Sequence, residues 1–314
     1  MPYQKRHAPK CPTCGNLAEF CNKKIYCRTC AKYFEHSNAP RVLILDIETS
    51  RVKVSADIWD SQIRYRDVRI SHKDIDNDWF MICWRARWLL KKDELGAVVT
   101  PKEARARDDK RVVKKLFDEM KKADFIITYN GDKFDLKKIN WLFIKYNLKP
   151  VLHYGSIDVM SGITKVSAPT SKALDFISHE LGYDGKLDTD INLWKQAEAG
   201  DKESLSYMYE YNLVDVDKTE SVYLHVRPYL KSHPNFAEFL NYYQEVDPSL
   251  NVGKDAHRCP RCLTGVISKE KFRRYRQTPA GYFYKMANCP HCGAVVFSVK
   301  KESDDKLSQK VFIR

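Results

Sequence analysis

The chain lacks any run of 18 or more apolar residues, which excludes a helical membrane span. Its first residues, Met-Pro-Tyr-Gln-Lys-Arg-His, have no apolar core, so no secretory signal is expected. No long repeat occurs, and no basic amphipathic helix stands out that would lie on a membrane. Acidic residues are scarce beside basic ones, 41 against 54, for a formal charge of +13. These absences predict an intracellular protein, cytoplasmic or nucleoid-associated, with no membrane partner. The basic excess favours a polyanion, nucleic acid first. A surplus serving only solubility is the alternative reading. Apolar content of 43% in 314 residues allows one sizeable domain plus small modules.

Ten cysteines are present. Without a secretory signal they point to metal rather than disulfides. Eight fall into four Cys-x-x-Cys pairs. Cys11 and Cys14 precede Cys27 and Cys30 by twelve residues; Cys259 and Cys262 precede Cys289 and Cys292 by 26. Each double pair has the spacing of a tetrahedral four-thiolate Zn²⁺ site of the ribbon type. Such a site carries a net charge of −2, so two leave the chain at about +9. A segment as short as 1–40 has too little core to fold alone, and zinc would supply much of its folding free energy. A ribbon can be a staple or a nucleic-acid grip. Cys21 and Cys83 read as small buried hydrophobes. Within the second ribbon, Lys271, Arg273, Arg274 and Arg276 alternate with aromatics. That pattern suits phosphates and stacked bases, or else a hairpin with solvated cations. The expected domains are 1–40 (ribbon and linker), 41–250 (a central α/β domain) and 251–314 (the second ribbon).

In the centre, Val42 to Leu45 reads as a buried strand ending in Asp46-Ile47-Glu48. Residues two apart on a strand share a face, so Asp46 and Glu48 project together. Either they hold a divalent cation through hard oxygen ligands, or the strand simply ends in acidic loop residues. Residues 51–78 read as a long polar surface excursion. Apolar stretches at 79–90, 95–100, 124–130 and 152–159 predict further strands. Periodicity predicts helices over 110–123, 136–147, 171–181 (closed by Gly182), 201–212 and 214–226. Asp135 sits in the crossover between a strand and a helix, where open α/β sheets gather ligands. Tyr211 and Asp215, four apart, would share one helix face; Asp217 falls on another face and is expected to be solvated.

The motifs Asp46-Ile-Glu48-Thr49, Tyr129-Asn130-Gly-Asp-Lys-Phe134-Asp135 and Tyr211-x-x-x-Asp215 resemble, in order, those of the DEDD superfamily of 3′–5′ exonucleases. The third has the form of the tyrosine branch, similar to the proofreading domains of family B DNA polymerases. The resemblance covers roughly residues 41–230. It implies a ribonuclease H-like mixed sheet with flanking helices and a two-metal nuclease using Mg²⁺ or Mn²⁺. It further implies that Asp46 bridges the two ions, that Glu48 and Asp215 complete one, that Asp135 holds the other, and that Tyr211 orients the attacking water. Thr49, Asn130 and Phe134 would contact nucleic acid. The length after residue 230 leaves no room for a polymerase portion, so a stand-alone nuclease or subunit is expected. DNA or RNA is the expected partner, with a replication or repair protein as a further candidate. A structure-selective endonuclease of the same fold and a catalytically silent scaffold are the alternatives.

Overall fold

The structure is a computed structural model. It describes residues 11, 14, 19–21, 24–35, 41–55, 71–151, 154–183, 189–230, 233, 256–259, 265–272, 274–277, 283–291, 293, 295–300 and 311–313. Near the N-terminus, strands β1 (Glu19–Cys21), β2 (Lys24–Cys27) and β3 (Lys32–Glu35) form an antiparallel meander. Its short strands carry the second cysteine pair out of the β2–β3 turn.

The central sheet is built on β4 (Val42–Thr49). A short hairpin, β5 (Lys53–Val54) with β6 (Ile75–Asn77), follows it. This hairpin is the described part of the surface excursion at 51–78; residues 56–70 lie outside the described residues. The chain returns through β7 (Met81–Trp88) and β8 (Leu95–Val98). Helix α1 (Pro101–Ala106) opens where the sequence reading ended a strand. Pro101 at the first turn and a Thr100–Glu103 capping box start it, a local signal that an apolar-period search passes over. Helix α2 (Lys110–Met120), strand β9 (Phe125–Thr128), helix α3 (Asp135–Lys145) and strand β10 (Gly155–Asp158) match the expected order. Then come α4 (Val159–Thr164), α5 (Leu174–Glu180), α6 (Ile191–Glu198) and α7 (Lys202–Val226). Helices α4 and α6 were not anticipated: they are short, and only their Asp158 and Asp190 N-caps announce them. The two expected helices at 201–226 are one helix of 25 residues.

The sheet order is β10-β9-β4-β7-β8. β9 pairs in parallel with both β10 and β4, while β7 runs antiparallel to β4 and β8. β4 is thus central and covered on both sides, which is why it reads as a continuous apolar run. Leu43, Leu45 and Ile47 share a core with Val112, Val113 and Leu116 of α2 and Ile139, Leu142 and Phe143 of α3. Val42 and Ile44 pack instead with Val216, Val222 and Tyr223 of α7. Strand alternation therefore continues the α7 side of β4 into Asp46 and Glu48.

Beyond α7, β11 (Ala256–Arg258) pairs with β12 (Val266–Ser268). Strands β13 (Arg274–Gln277), β14 (Phe283–Asn288), β15 (Val295–Lys300) and β16 (Val311–Ile313) form an antiparallel sheet in chain order. The basic segment around 274–277 is thus one arm of a hairpin, a backbone form compatible with either of its two expected roles. The expected linker at 37–40 and the boundary at 250 lie outside the described residues. Among the described residues, no helix is long and apolar enough to cross a membrane.

Candidate active site

Three carboxylates converge. One oxygen each from Asp46, Glu48 and Asp215 lies within 4.8 Å of the others. The first two come from β4; the third comes from α7, which crosses that face of the sheet. Asp135 opens α3 and is 3% exposed. Its Oδ1 accepts the Ile47 backbone N–H at 3.2 Å, which ties it to β4 between Asp46 and Glu48. Asp135 is not one of the three mutually close groups, yet its charge acts on both residues of the pair.

The electrostatics are those of crowded anions. Burial, then the neighbouring charges of Asp135, Glu48 and Asp215, hold the Asp46 carboxyl well above the usual range. Burial with Asp215 and Asp135 pushes Glu48 up to about 8. Burial raises Asp135 to about 7 and Asp215 to about 6. No ion pair to Asp46, Glu48 or Asp215 occurs among the described residues. Arg85, opposite Asp46 in the sheet register, is instead paired with Glu94 at 2.6 Å and lies over the Tyr209 ring. Lys218 is buried nearby, but its amine is paired with Asp175 at 2.5 Å. A cluster of hard oxygen donors that repel one another suits a divalent cation such as Mg²⁺ or Mn²⁺.

Tyr211 lies one turn before Asp215 on α7 and shares a hydrogen bond with it. Burial and the Asp215 and Glu48 charges raise its hydroxyl, so it keeps its proton. Trp194 of the unanticipated α6 packs edge-on against its ring. Asp217 lies elsewhere on α7, but it is only half exposed rather than simply solvated, and it pairs with Arg87 of β7 at 2.5 Å.

The expected nucleic-acid contacts divide. Thr49 ends β4, and its Oγ1 accepts a hydrogen bond from Lys138 Nζ at 3.2 Å. Phe134 is exposed beside α3. Asn130 sits at φ +64 in the turn after β9, with a buried Oδ1 that finds no donor among the described residues. Gly131 is required there: a Cβ would overlap the Thr128 side chain. Lys271 is exposed. Arg273 lies outside the described residues. Arg274 and Arg276 are placed on β13 by the backbone alone.

Periodicity missed three supporting residues. Asn212 is fully buried and donates through Nδ2 to Asp46 Oδ2; its place beside Tyr211 was the available signal. Asp158 accepts from the Asn130 and Asp132 N–H groups, each at 3.2 Å, and so fixes the second-motif turn. Lys138 sits between the rings of Trp79 and Phe134, 3.9 and 4.9 Å from their centroids.

A second donor set lies at the N-terminus. The sulfurs of Cys11, Cys14, Cys27 and Cys30 are all within 4.8 Å of one another. Cys11–Cys30 and Cys14–Cys27 are 3.8 and 3.5 Å apart. A disulfide would need about 2.05 Å, whereas tetrahedral Zn–S bonds of about 2.3 Å require sulfurs about 3.8 Å apart. Hydrogen bonding to Cys14, with burial and the other sulfurs, pushes the Cys30 thiol up to about 12. Without a metal the Cys30 thiol thus keeps its proton, and a cation would draw it off. The cluster fits a zinc ribbon. In the C-terminal module, Cys259 and Cys289 are buried in one cluster with Ile267, Phe272, Ala287 and Val296. Cys262 and Cys292 lie outside the described residues.

No curated protein matches the chain. Among solved structures, it is similar to the family B DNA polymerase from the hyperthermophilic archaeon Pyrobaculum calidifontis. That likeness has 16% identity and a TM-score of 0.43, covers 60% of this chain, and spans 25% of the polymerase. The sequence model of the RNase_H superfamily matches residues 77–227. This stretch holds Asp135, Tyr211 and Asp215, while Asp46 and Glu48 precede it and are brought in by the pairing of β4 with β7 and β9. The mixed five-stranded sheet and its flanking helices are RNase H-like, and residues 77–227 form the part that matches that superfamily.

Proposed function

We propose that the protein is a divalent-metal-dependent nuclease that hydrolyses phosphodiester bonds, acting as a 3′–5′ exonuclease of the DEDD tyrosine branch. The observation that carries this reading is the meeting of Asp46, Glu48 and Asp215 within 4.8 Å, with Asp135 bonded to the strand between the first two. Asp46, Glu48, Asp135 and Asp215 would hold two Mg²⁺ or Mn²⁺ ions. Such ions, when bound, acidify water and stabilise a leaving oxygen.

The protein's own groups have separate tasks. Asn212 fixes the Asp46 carboxylate by its Nδ2–H and supplies part of the missing positive field. Tyr211 stays protonated and can orient a water beside Asp215. Lys138 places a cation next to Thr49, where a substrate phosphate would approach. Asp158 holds the turn that presents Asn130. We assign a structural Zn²⁺ to Cys11, Cys14, Cys27 and Cys30, and a second to Cys259, Cys262, Cys289 and Cys292. The charge of +13 favours nucleic acid as the partner. The partition 1–40, 41–250 and 251–314 goes with this reading.

Digestion of end-labelled single strands of DNA and RNA with Mg²⁺ or Mn²⁺ tests it. The expected result is stepwise shortening from the 3′ end, blocked by a 3′ modification and lost in Asp46→Ala. Undiminished activity in Asp46→Ala would remove the assigned site. Cutting of circular substrates would replace exonuclease action with the endonuclease alternative.

A further inference from the structure

The exposed side of α3 is unlike the other helix surfaces. Positions 134, 138, 141 and 145, spaced by four, three and four, lie along one face, with 137 and 144 flanking it. They are Phe134, Lys138, Trp141, Lys145, Lys137 and Ile144. Phe134 is 43% exposed, Trp141 51% and Ile144 69%. A helix normally turns such groups inward, and α3 already buries Leu136, Ile139, Leu142 and Phe143 on its other side. Lys137 and Lys145 form no ion pair among the described residues, and no acidic residue of α3 shares this face, although the Asp78 charge acts on Lys138. The face begins at the carboxylates: Asp135 is the first residue of the helix, and Lys138 reaches back to Thr49 on β4.

From this placement we infer that the exposed face of α3 is the track along which a single nucleic-acid strand leaves the carboxylate site. Bases stack on Trp141, and phosphates run past Lys137 and Lys145. The occupant is a single strand because aromatic faces must meet unpaired bases, which a duplex keeps stacked within itself. At 1.5 Å per residue, Trp141 lies about 9 Å and Lys145 about 15 Å along the axis from Asp135. The inference deepens the nuclease reading and rests on it for the class of ligand.

Its test separates the two. Binding is measured on Asp46→Ala protein, so that turnover is not needed, with fluorescent ten-nucleotide and dinucleotide strands of DNA and of RNA. Trp141→Ala should weaken ten-nucleotide binding about tenfold, Trp141→Phe should restore most of it, and the dinucleotide should show no such penalty. Replacing Lys137 and Lys145 by Gln should flatten the dependence of log affinity on log salt by about 1.4. The larger penalty of the DNA or RNA series identifies the natural strand. Equal binding of every oligonucleotide by all variants overturns the track and gives the Phe134–Ile144 stripe to a protein partner instead. If the intact protein digests no strand while the Trp141 penalty persists, the track stands and the nuclease reading falls. If strands are digested and the penalty is absent, the reverse holds.

Discussion

The two candidate metal centres are built in opposite ways. The four cysteines lie within 20 residues, as two Cys-x-x-Cys pairs. The four carboxylates span residues 46 to 215 and come from one strand and two helices. The first site assembles because its ligands are already neighbours, so metal binding and local folding are one event. The second assembles because a large core forces it. Leu43, Leu45 and Ile47 fix the register of β4, and Val216, Val222 and Tyr223 lay α7 across its other face. Cation binding there relieves repulsion in a fold that exists without it. On the proposed reading, the first site would use metal for structure and the second for chemistry.

The largest expected effect breaks this contrast at the cysteines. Cys27→Ser should remove one equivalent of zinc and leave residues 11–35 open to protease. The segment has only its cysteine cluster as described core, and metal is a large share of the folding free energy of such a ribbon. The carboxylate domain should keep its melting transition. A cooperative loss of the whole protein would show that the ribbon is part of the central core and that the two sites are not independent.

Next in size is Asn212→Ala. It leaves Asp46 without its donor while α7 remains packed through Val216 and Val222. Turnover should fall about 10- to 100-fold, with part of the loss recovered at high Mg²⁺ concentration, as for loss of a group that supports a metal ligand. An unchanged rate would mean that Asp46 is oriented by β4 alone.

The third effect is on stability and has a definite sign. In the metal-free protein the folded carboxyls of Asp215, Asp135 and Glu48 stand at about 6, 7 and 8, with Asp46 also raised. Their unfolded values are near 4. Between these limits the folded state binds more protons than the unfolded one. The contribution of these carboxyls to stability is therefore full below about pH 4 and is lost as pH rises through 6 to 8. The melting temperature should drop by about 5 °C or more from pH 5 to pH 8.5, and millimolar Mg²⁺ should restore it. Groups held low, such as Glu103 at about 2 beside Arg111, stay ionised across this window and do not oppose the trend. A melting temperature that rises with pH in metal-free buffer would contradict the crowding of the carboxylates.

The same contrast governs what the sequence discloses. The cysteine site is legible from spacing, because ligand geometry is local. Asp46 and Glu48 are legible as a pair through strand alternation, and Tyr211 with Asp215 through helical spacing. Their meeting is not, since no local rule states which helix crosses which strand; the resemblance to a known motif order supplied it. Asn212 was hidden because a buried polar residue in a helix has no period of its own. Helices α1, α4 and α6 were hidden because six to eight residues do not establish a pattern, although Thr100, Asp158 and Asp190 carried capping signals.

The smallest expected effect concerns a cysteine that belongs to neither class. Cys83 pairs with Glu48 in the sheet register and is wholly buried, with Sγ 3.7 Å from the Met208 carbonyl oxygen. Burial, then the charges of Glu48 and Asp46, push its thiol well up, so it stays a neutral hydrophobe beside a site of hard oxygen ligands. A thiolate there would add another anion to a cluster already short of positive charge. Cys83→Ala should cost about 1 kcal/mol from the small cavity it leaves, with zinc content and the metal dependence of turnover unaltered. A loss of bound metal in that variant would make Cys83 a ligand and end the separation of sulfur and oxygen sites.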